Sequence, residues 1–164
     1  MSTVVLALGE GVSTDAIYPG RFMATVLPSE TPQYAFRDQA EFNARLRAGQ
    51  VPAGSVVVAG KNFGCGSSRE QAVSALKGHE LVIVARGFAR IFLHNAANLG
   101  LRLIEAPEIE AAAGDELELG GAEVVNRTTG RRFPVAPPSP ARAAIVAAGG
   151  LIQYTRSRLM ARAR

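Results

Sequence analysis

Short, mainly apolar runs punctuate the first two thirds of the chain. They fall at residues 3–8, 55–59 (Ser55-Val56-Val57-Val58-Ala59), 81–85 (Leu81-Val82-Ile83-Val84-Ala85) and 101–104. All four read as strands, and those at 55–59 and 81–85 as buried ones. Between them the pattern changes to helical spacing. Ala72, Val73, Ala75 and Leu76 mark a helix over 69–77, and Ile91, Phe92, Ala96 and Leu99 mark another over 88–98, with Gly100 as its stop. Strand–helix–strand–helix–strand at this spacing predicts parallel pairing through right-handed crossovers. Earlier, Asp38 is placed to cap a helix running to residue 48, with Ala40, Phe42 and Leu46 inward and Gly49 after its end. From residue 115 the pattern turns to alternation. Residues 115–119 and 122–126 flank Gly120-Gly121, which predicts a hairpin, and 131–135 offers a third strand. Pro137-Pro138-Ser139-Pro140 breaks the chain, and Ser139 is placed to cap a helix over 141–148. Beyond Gly149-Gly150 a last amphipathic stretch carries Leu151, Ile152, Leu159 and Met160 and predicts a C-terminal helix over about 150–164. The expected fold class is α/β, a parallel core sheet with an added β-hairpin, in one domain over residues 1–164.

The chemistry concentrates in Gly60-Lys61-Asn62-Phe63-Gly64-Cys65-Gly66-Ser67-Ser68-Arg69-Glu70-Gln71, between an expected strand and an expected helix. Gly60, Gly64 and Gly66 permit positive φ and close approach by a ligand. Ser67-x-x-Glu70 fits a capping box, and Ser68-x-x-Gln71 repeats the pattern one residue later. A helix N-terminus with free amides favours an anion, and Arg69 adds a planar fork suited to a carboxylate. The loop lacks the closing Gly-Lys-Ser/Thr of a Walker loop, the spacing of a dinucleotide loop and the Gly-x-Ser-x-Gly of a hydrolase elbow. Two readings stay open on this pattern: a carboxylate or phosphate site with two hydroxyls, and a capped helix after a tight turn. Near the N-terminus, Ser13, Thr14 and Asp15 read as loop or cap residues. Residues 27–32, broken by Pro28 and Pro32, read as a mobile lid or a surface linker. A Cys65–His nucleophilic pair needs a base beside the thiol. His79 falls in a helix-to-strand turn and His94 within a helix, so the pattern argues against that pair.

Composition narrows the classes. Of 164 residues, 48% are hydrophobic and 20% charged, which suits a globular domain, and no apolar run approaches the roughly 20 residues of a membrane span. The N-terminus shows no signal-peptide pattern. A single cysteine excludes an internal disulfide, fits a reducing cytoplasm and falls short of the three or four thiolates an iron–sulfur cluster usually needs. The net charge of +4 rises toward the end, in Arg156, Arg158, Arg162 and Arg164, where Tyr154 is the one aromatic residue. Without interleaved aromatics the tail reads as a solvated helix face or a partner contact rather than a nucleic-acid surface.

The residue 60–70 motif resembles the signature of 3-isopropylmalate dehydratase small subunits, shared with the swivelling domain of the aconitase superfamily. Thr14-Asp15-Ala16-Ile17-Tyr18-Pro19-Gly20-Arg21-Phe22 is similar to that family's Thr-Asp, Ile-x-Pro and aromatic pattern. Arg86-Gly87-Phe88-Ala89-Arg90-Ile91-Phe92-Leu93-His94-Asn95 resembles its Ser-Phe-Ala-x-Ile-Phe-x-x-Asn, departing at Arg86-Gly87. The resemblance spans roughly residues 1–155 and implies a three-layer β/β/α swivelling domain. It implies a hydro-lyase that isomerises 2-isopropylmalate and 3-isopropylmalate by dehydration and rehydration in leucine biosynthesis. In that scheme Ser67 is the proton-abstracting alkoxide, Ser68 and Arg69 bind substrate carboxylate with Gly66 and Thr14 beside them, and Asp15 orders the network. Phe22, Met23, Ala24 and Thr25 stand where the family has its specificity loop. Homoaconitase-like relatives carry Tyr-Leu-Arg-Thr there, so apolar Ala24 argues against a third substrate carboxylate, with Arg21 nearby able to compensate. The four-iron, four-sulfur cluster is expected on a large subunit, with no metal or cofactor bound by this chain, so the chain is expected to act only in a heterodimer or heterotetramer. Gln71 replaces the family's usual His. The alternatives are a related dehydratase subunit for homoaconitate, citraconate or dimethylmalate, and a non-catalytic carboxylate-binding module.

Overall fold

Four parallel strands form the centre of the molecule: β1 (Ser2–Ala7), β2 (Val56–Ala59), β3 (Val82–Ala85) and β4 (Leu103–Glu105). The structure, a computed structural model, describes residues 1–162. Arg164, the end of the expected basic tail, and Ala163 beside it lie outside the described residues. Three antiparallel strands follow: β5 (Glu116–Leu119), β6 (Glu123–Asn126) and β7 (Arg132–Pro134). β5 adds antiparallel to the free side of β1, so the sheet runs β4-β3-β2-β1-β5-β6-β7.

The apolar runs of β2 and β3 are explained by burial on both sides. Val57, Ala59, Ile83 and Ala85 pack on the helical side against Ala72, Val73, Leu76 and Phe92. Val56, Val58, Val82, Val84 and Ile104 face the other way and meet Leu117, Val124 and Phe133 of the antiparallel strands. In a flat sheet β4 and β7 would lie about 29 Å apart, six spacings of about 4.8 Å. Instead Ala136, just past β7, donates its N–H to the Glu105 carbonyl of β4 at 2.8 Å. The sheet therefore curls until its edges meet, and the result is the expected β/β/α layering.

The helices are α1 (Thr14–Ile17), α2 (Ala40–Arg47), α3 (Glu70–Gly78), α4 (Arg90–Leu99), α5 (Pro140–Ala147) and α6 (Leu151–Arg162). Gly100 ends α4 in the left-handed region at φ 72°, as its position predicts. Ser139 caps α5 by accepting the Arg142 N–H at 3.3 Å. The hairpin closes with Leu119 opposite Val124.

Several expectations are corrected. Asp38 does not cap α2: Gln39 holds that position without a side-chain bond, and Asp38 is drawn off by an ion pair with Arg21. Ala40 is exposed, and the third inward residue of α2 is Asn43. Its side chain accepts from Arg37 and donates to the Gln33 and Ala35 carbonyls, which offsets the cost of burying an amide. Ile91 is about half exposed, outside the α4 stripe that Phe92 and Ala96 bury. The apolar residues Leu151, Ile152, Leu159 and Met160 of α6 also face outward. Arg158 of that helix donates to the Tyr154 hydroxyl and sits over its ring, so the tail's aromatic residue is already engaged. The expected lid is anchored from Thr31 onward: Thr31 Oγ1 and Ser74 Oγ are 2.8 Å apart, and the Pro32 carbonyl meets His79 Nε2 at 2.9 Å. Among the described residues no helix is long and apolar enough to cross a membrane.

Candidate active site

Three loops leave the carboxyl ends of β1, β2 and β3 and are laced together by backbone hydrogen bonds. Lys61 accepts from Gly11, Val12 from Gly64, and Cys65 from Thr14, at 2.8–2.9 Å. Phe63 bonds in turn to Gly87 and Ala89 of the third loop. The carboxyl end of a parallel sheet is where α/β folds bind ligands, because the loops there are free to vary while the strands hold them in place.

Glycine is required at two of these positions. Gly64 lies at φ 80°, and a side chain there would run into the Phe92 ring. Gly66 lies at φ 93° beside Thr14 Oγ1 and leaves its backbone open to approach. Gly60 does not have the expected positive φ. Its need is close packing, since a Cβ would come within 2.9 Å of the Glu10 backbone nitrogen. The left-handed turn that completes the loop is made by Asn62 at φ 60°.

The expected capping boxes do not form. α3 begins at Glu70, and Arg69 occupies the N-cap in an extended conformation without a side-chain cap bond. Ser67 is held through its main chain: its carbonyl accepts from Arg69 N–H at 2.9 Å and from Thr14 Oγ1 at 3.0 Å. The Ser67 and Ser68 side chains stay exposed. Glu70 in the first turn offsets part of the helix's positive end, and Arg69 beside it supplies a cation.

Arg69 is largely buried, its side chain 18% exposed. Nη1 donates both to Asp15 Oδ1 and to the Tyr18 carbonyl, the latter at 3.2 Å. With both bonds made from Nη1, Nη2 and Nε remain for a planar anion. Asp15 Oδ1 also accepts the Gly20 N–H at 2.8 Å. The Arg69 hydrogen bond, then the Gly20 amide, hold the Asp15 carboxyl below the usual carboxylate range. Thr14, Asp15, Gly66, Ser67, Ser68 and Arg69 are thus gathered at one place.

Residues 22–25 form a tight turn at the rim, after the short helical turn Gly20–Phe22. Phe22 stacks on Tyr34 at 4.2 Å. Met23 is partly exposed and Ala24 exposed. Gln71 Nε2 reaches the Met23 carbonyl at 3.5 Å, at the outer limit of a hydrogen bond. Arg21 is paired with Asp38 on the surface, so its charge is already partnered. The sequence pattern missed Tyr18 and Gly20, which hold Arg69 and Asp15. Their contribution is made by backbone groups that no residue type announces.

The Cys65 thiol donates to the Gly11 carbonyl at 3.3 Å, His79 is engaged by Pro32, and His94 is exposed on α4. Neither imidazole serves as a base for the thiol. Among the described residues no three His, Cys, Asp or Glu side chains cluster as metal ligands. The more enclosed hollows lie elsewhere, such as a cavity of about 380 Å³ between α4 and α5 lined by Leu93, Ala97, Val146 and Ala147. Ser67 and Ser68 instead sit on open surface.

Residues 21–108 match the aconitase C-terminal domain family. The 3-isopropylmalate dehydratase small subunit of Moorella thermoacetica is 45% identical over 151 residues, 89% of each chain. That of Thermodesulfovibrio yellowstonii is 36% identical over 161 residues, 94% of this chain and 93% of its own. A crystal structure of 3-isopropylmalate dehydratase from Methanocaldococcus jannaschii superposes with a TM-score of 0.87 at 37% identity, covering 98% of this chain and 96% of that one. By this identity and coverage, the chain belongs to the aconitase C-terminal domain family, among the 3-isopropylmalate dehydratase small subunits.

Proposed function

We infer that this chain is the small subunit of a 3-isopropylmalate dehydratase, a hydro-lyase that interconverts 2- and 3-isopropylmalate by dehydration and rehydration in leucine biosynthesis. The observation that carries the reading is the grouping of Ser67, Ser68, Arg69 and Asp15 on laced loops at the carboxyl end of the parallel sheet.

The reaction removes a proton next to a carboxylate, which leaves a dianionic carboxylate that a base alone does not stabilise. Fixed charges and donors already in place lower that barrier. We assign Arg69 to the substrate carboxylate, bound through the free side of its guanidinium. Asp15 and the Tyr18 carbonyl hold the other side, so little reorganisation is needed as charge develops. We assign Ser67 to proton abstraction. Its main chain is pinned by Thr14 and Arg69 while its hydroxyl is free, and the guanidinium two residues on favours the alkoxide. Ser68 supplies a second hydroxyl to the carboxylate. Ala24 at the rim leaves space for a branched alkyl group and offers no cation to a third carboxylate.

The family implies a four-iron, four-sulfur cluster. The donors of this chain do not fit one: Cys65 is its single cysteine, and its thiol is bonded to a backbone carbonyl. We place the cluster on a large subunit, which would also cover the open face at Ser67 and Ser68. We propose further that residues 1–164 are one swivelling domain, that the assembly is a heterodimer or a dimer of such pairs, and that it works in the cytoplasm, where a lone cysteine stays reduced.

The test mixes the purified chain with its large subunit, reconstituted anaerobically with iron and sulfide, and follows alkene absorbance with 3-isopropylmalate. Turnover that requires both chains is expected. A verified complex that ignores 3-isopropylmalate and turns over citraconate or homoaconitate would reassign the substrate. Carboxylate binding without any complex would favour a binding module.

A further inference from the structure

Tyr18 stands between the two parts of the site that must agree on one substrate. Its ring is fully buried, and its hydroxyl lies 3.1 Å from the Phe22 carbonyl and 3.3 Å from the Thr25 carbonyl. Those are the first and last residues of the rim turn, which is otherwise closed by the Thr25 N–H on the Phe22 carbonyl at 2.9 Å. Burial pushes the Tyr18 phenol up, so it keeps its proton and donates to the two carbonyls. The main chain of the same residue works on the other side: its carbonyl accepts from Arg69 Nη1 at 3.2 Å, and its N–H bonds to Thr14 at 2.8 Å. Tyr34 braces the arrangement, edge-on to Tyr18 at 5.9 Å and stacked beneath Phe22.

We propose that Tyr18 is a positioning residue for substrate selection: its carbonyl holds the carboxylate-binding Arg69 and its phenol holds the 22–25 turn, fixing the gap into which the substrate's alkyl group fits. A rigid aromatic side chain with few torsions suits such a spacer better than a flexible one. The middle of the turn carries Met23 and Ala24, whose side chains make no hydrogen bond, and the other side chain that reaches its backbone is Gln71, at 3.5 Å from the Met23 carbonyl. Without the phenol the turn loosens while Arg69, bound through the Tyr18 main chain, keeps its place.

The proposal rests on the dehydratase reading, and its test separates the two. The reconstituted complex is assayed on 3-isopropylmalate and on 3-methylmalate, the same diacid with a methyl for the isopropyl, with wild type and Tyr18→Phe. Removal of one hydroxyl is expected to lower kcat/KM for 3-isopropylmalate about fivefold, the worth of one hydrogen bond, mainly through KM. The preference over 3-methylmalate shrinks by a similar factor, and amide exchange at Thr25 quickens. An equal loss on both acids, or a Thr25 amide as protected as in wild type, overturns the positioning role. Inactivity of the wild-type complex on both acids instead overturns the dehydratase reading, and exchange at Thr25 still decides whether the phenol holds the turn.

Discussion

Replacing Gly64 by Ala tests how the residue 60–71 loop is held. Two costs are separable. The first is conformational: at φ 80° an L-residue pays about 1–2 kcal/mol. The second is steric, because the new methyl would run into the Phe92 ring. Phe92 has little freedom to give way, since it is 2% exposed, edge-on to Phe63 at 5.3 Å and parallel to Phe88 at 6.5 Å. Overpacking of this kind costs about 1–3 kcal/mol. The sum is about 2–5 kcal/mol. Gly54→Ala is the internal control: it sits at φ 78° with nothing within 4 Å, so it carries the conformational cost alone, about 1–2 kcal/mol. Denaturant melts of both variants, with the slope unchanged, give the difference directly. Gly64→Ala is expected to be the more destabilised by about 1–3 kcal/mol. It is also expected to lose turnover in the assembled enzyme while still folded, because Ser67 lies three residues downstream in the same loop. If the two variants melt together, the packing of Phe92 on this loop is not what holds it.

Two further outcomes follow from the polar contacts. The Asp15 carboxyl is held below its usual range by Arg69, so its contribution is present above the ordinary carboxylate range and is lost as pH falls through the lower folded-state value. Asp15→Asn should therefore lower the melting temperature above the carboxylate range and flatten the acid limb of its pH profile, whereas an acid limb identical to wild type would contradict the pairing. Asn43→Ala removes three hydrogen bonds of a side chain in a residue only 1% exposed and strands two backbone carbonyls. It should cost about 3 kcal/mol in a denaturant melt, and a loss under about 1 kcal/mol would mean water replaces the amide.

The parallel core was legible because burial on both faces leaves no polar position in strands such as Val56–Ala59, and the hairpin because alternating stretches flank Gly120-Gly121. The curl that brings β7 toward β4 was not, since it depends on contacts between residues far apart, such as Glu105 and Ala136. Within the site, the residue types of the 60–71 loop pointed to an anion, and Arg69 does present free donors. The capping box misled because Ser67 and Glu70 have the right spacing, yet Arg69 is held extended by its bonds to Asp15 and Tyr18 and takes the cap position itself. Asp38 misled for a related reason: a capping residue is equally good as an ion-pair partner, and Arg21 is in reach. Tyr18 was unreadable as a site residue because its role joins a carbonyl and a phenol to partners that the sequence alone does not bring together.

The most direct test of the account compares Ser67→Ala with Ser68→Ala in the assembled enzyme, with kcat and KM measured separately on 3-isopropylmalate. A proton-abstracting group typically contributes about 10²–10⁴ in rate. Ser67→Ala should lose turnover on that order with KM little changed, and Ser68→Ala should chiefly raise KM. A Ser67→Ala enzyme that keeps most of its kcat would contradict the assignment of the proton transfer to this loop.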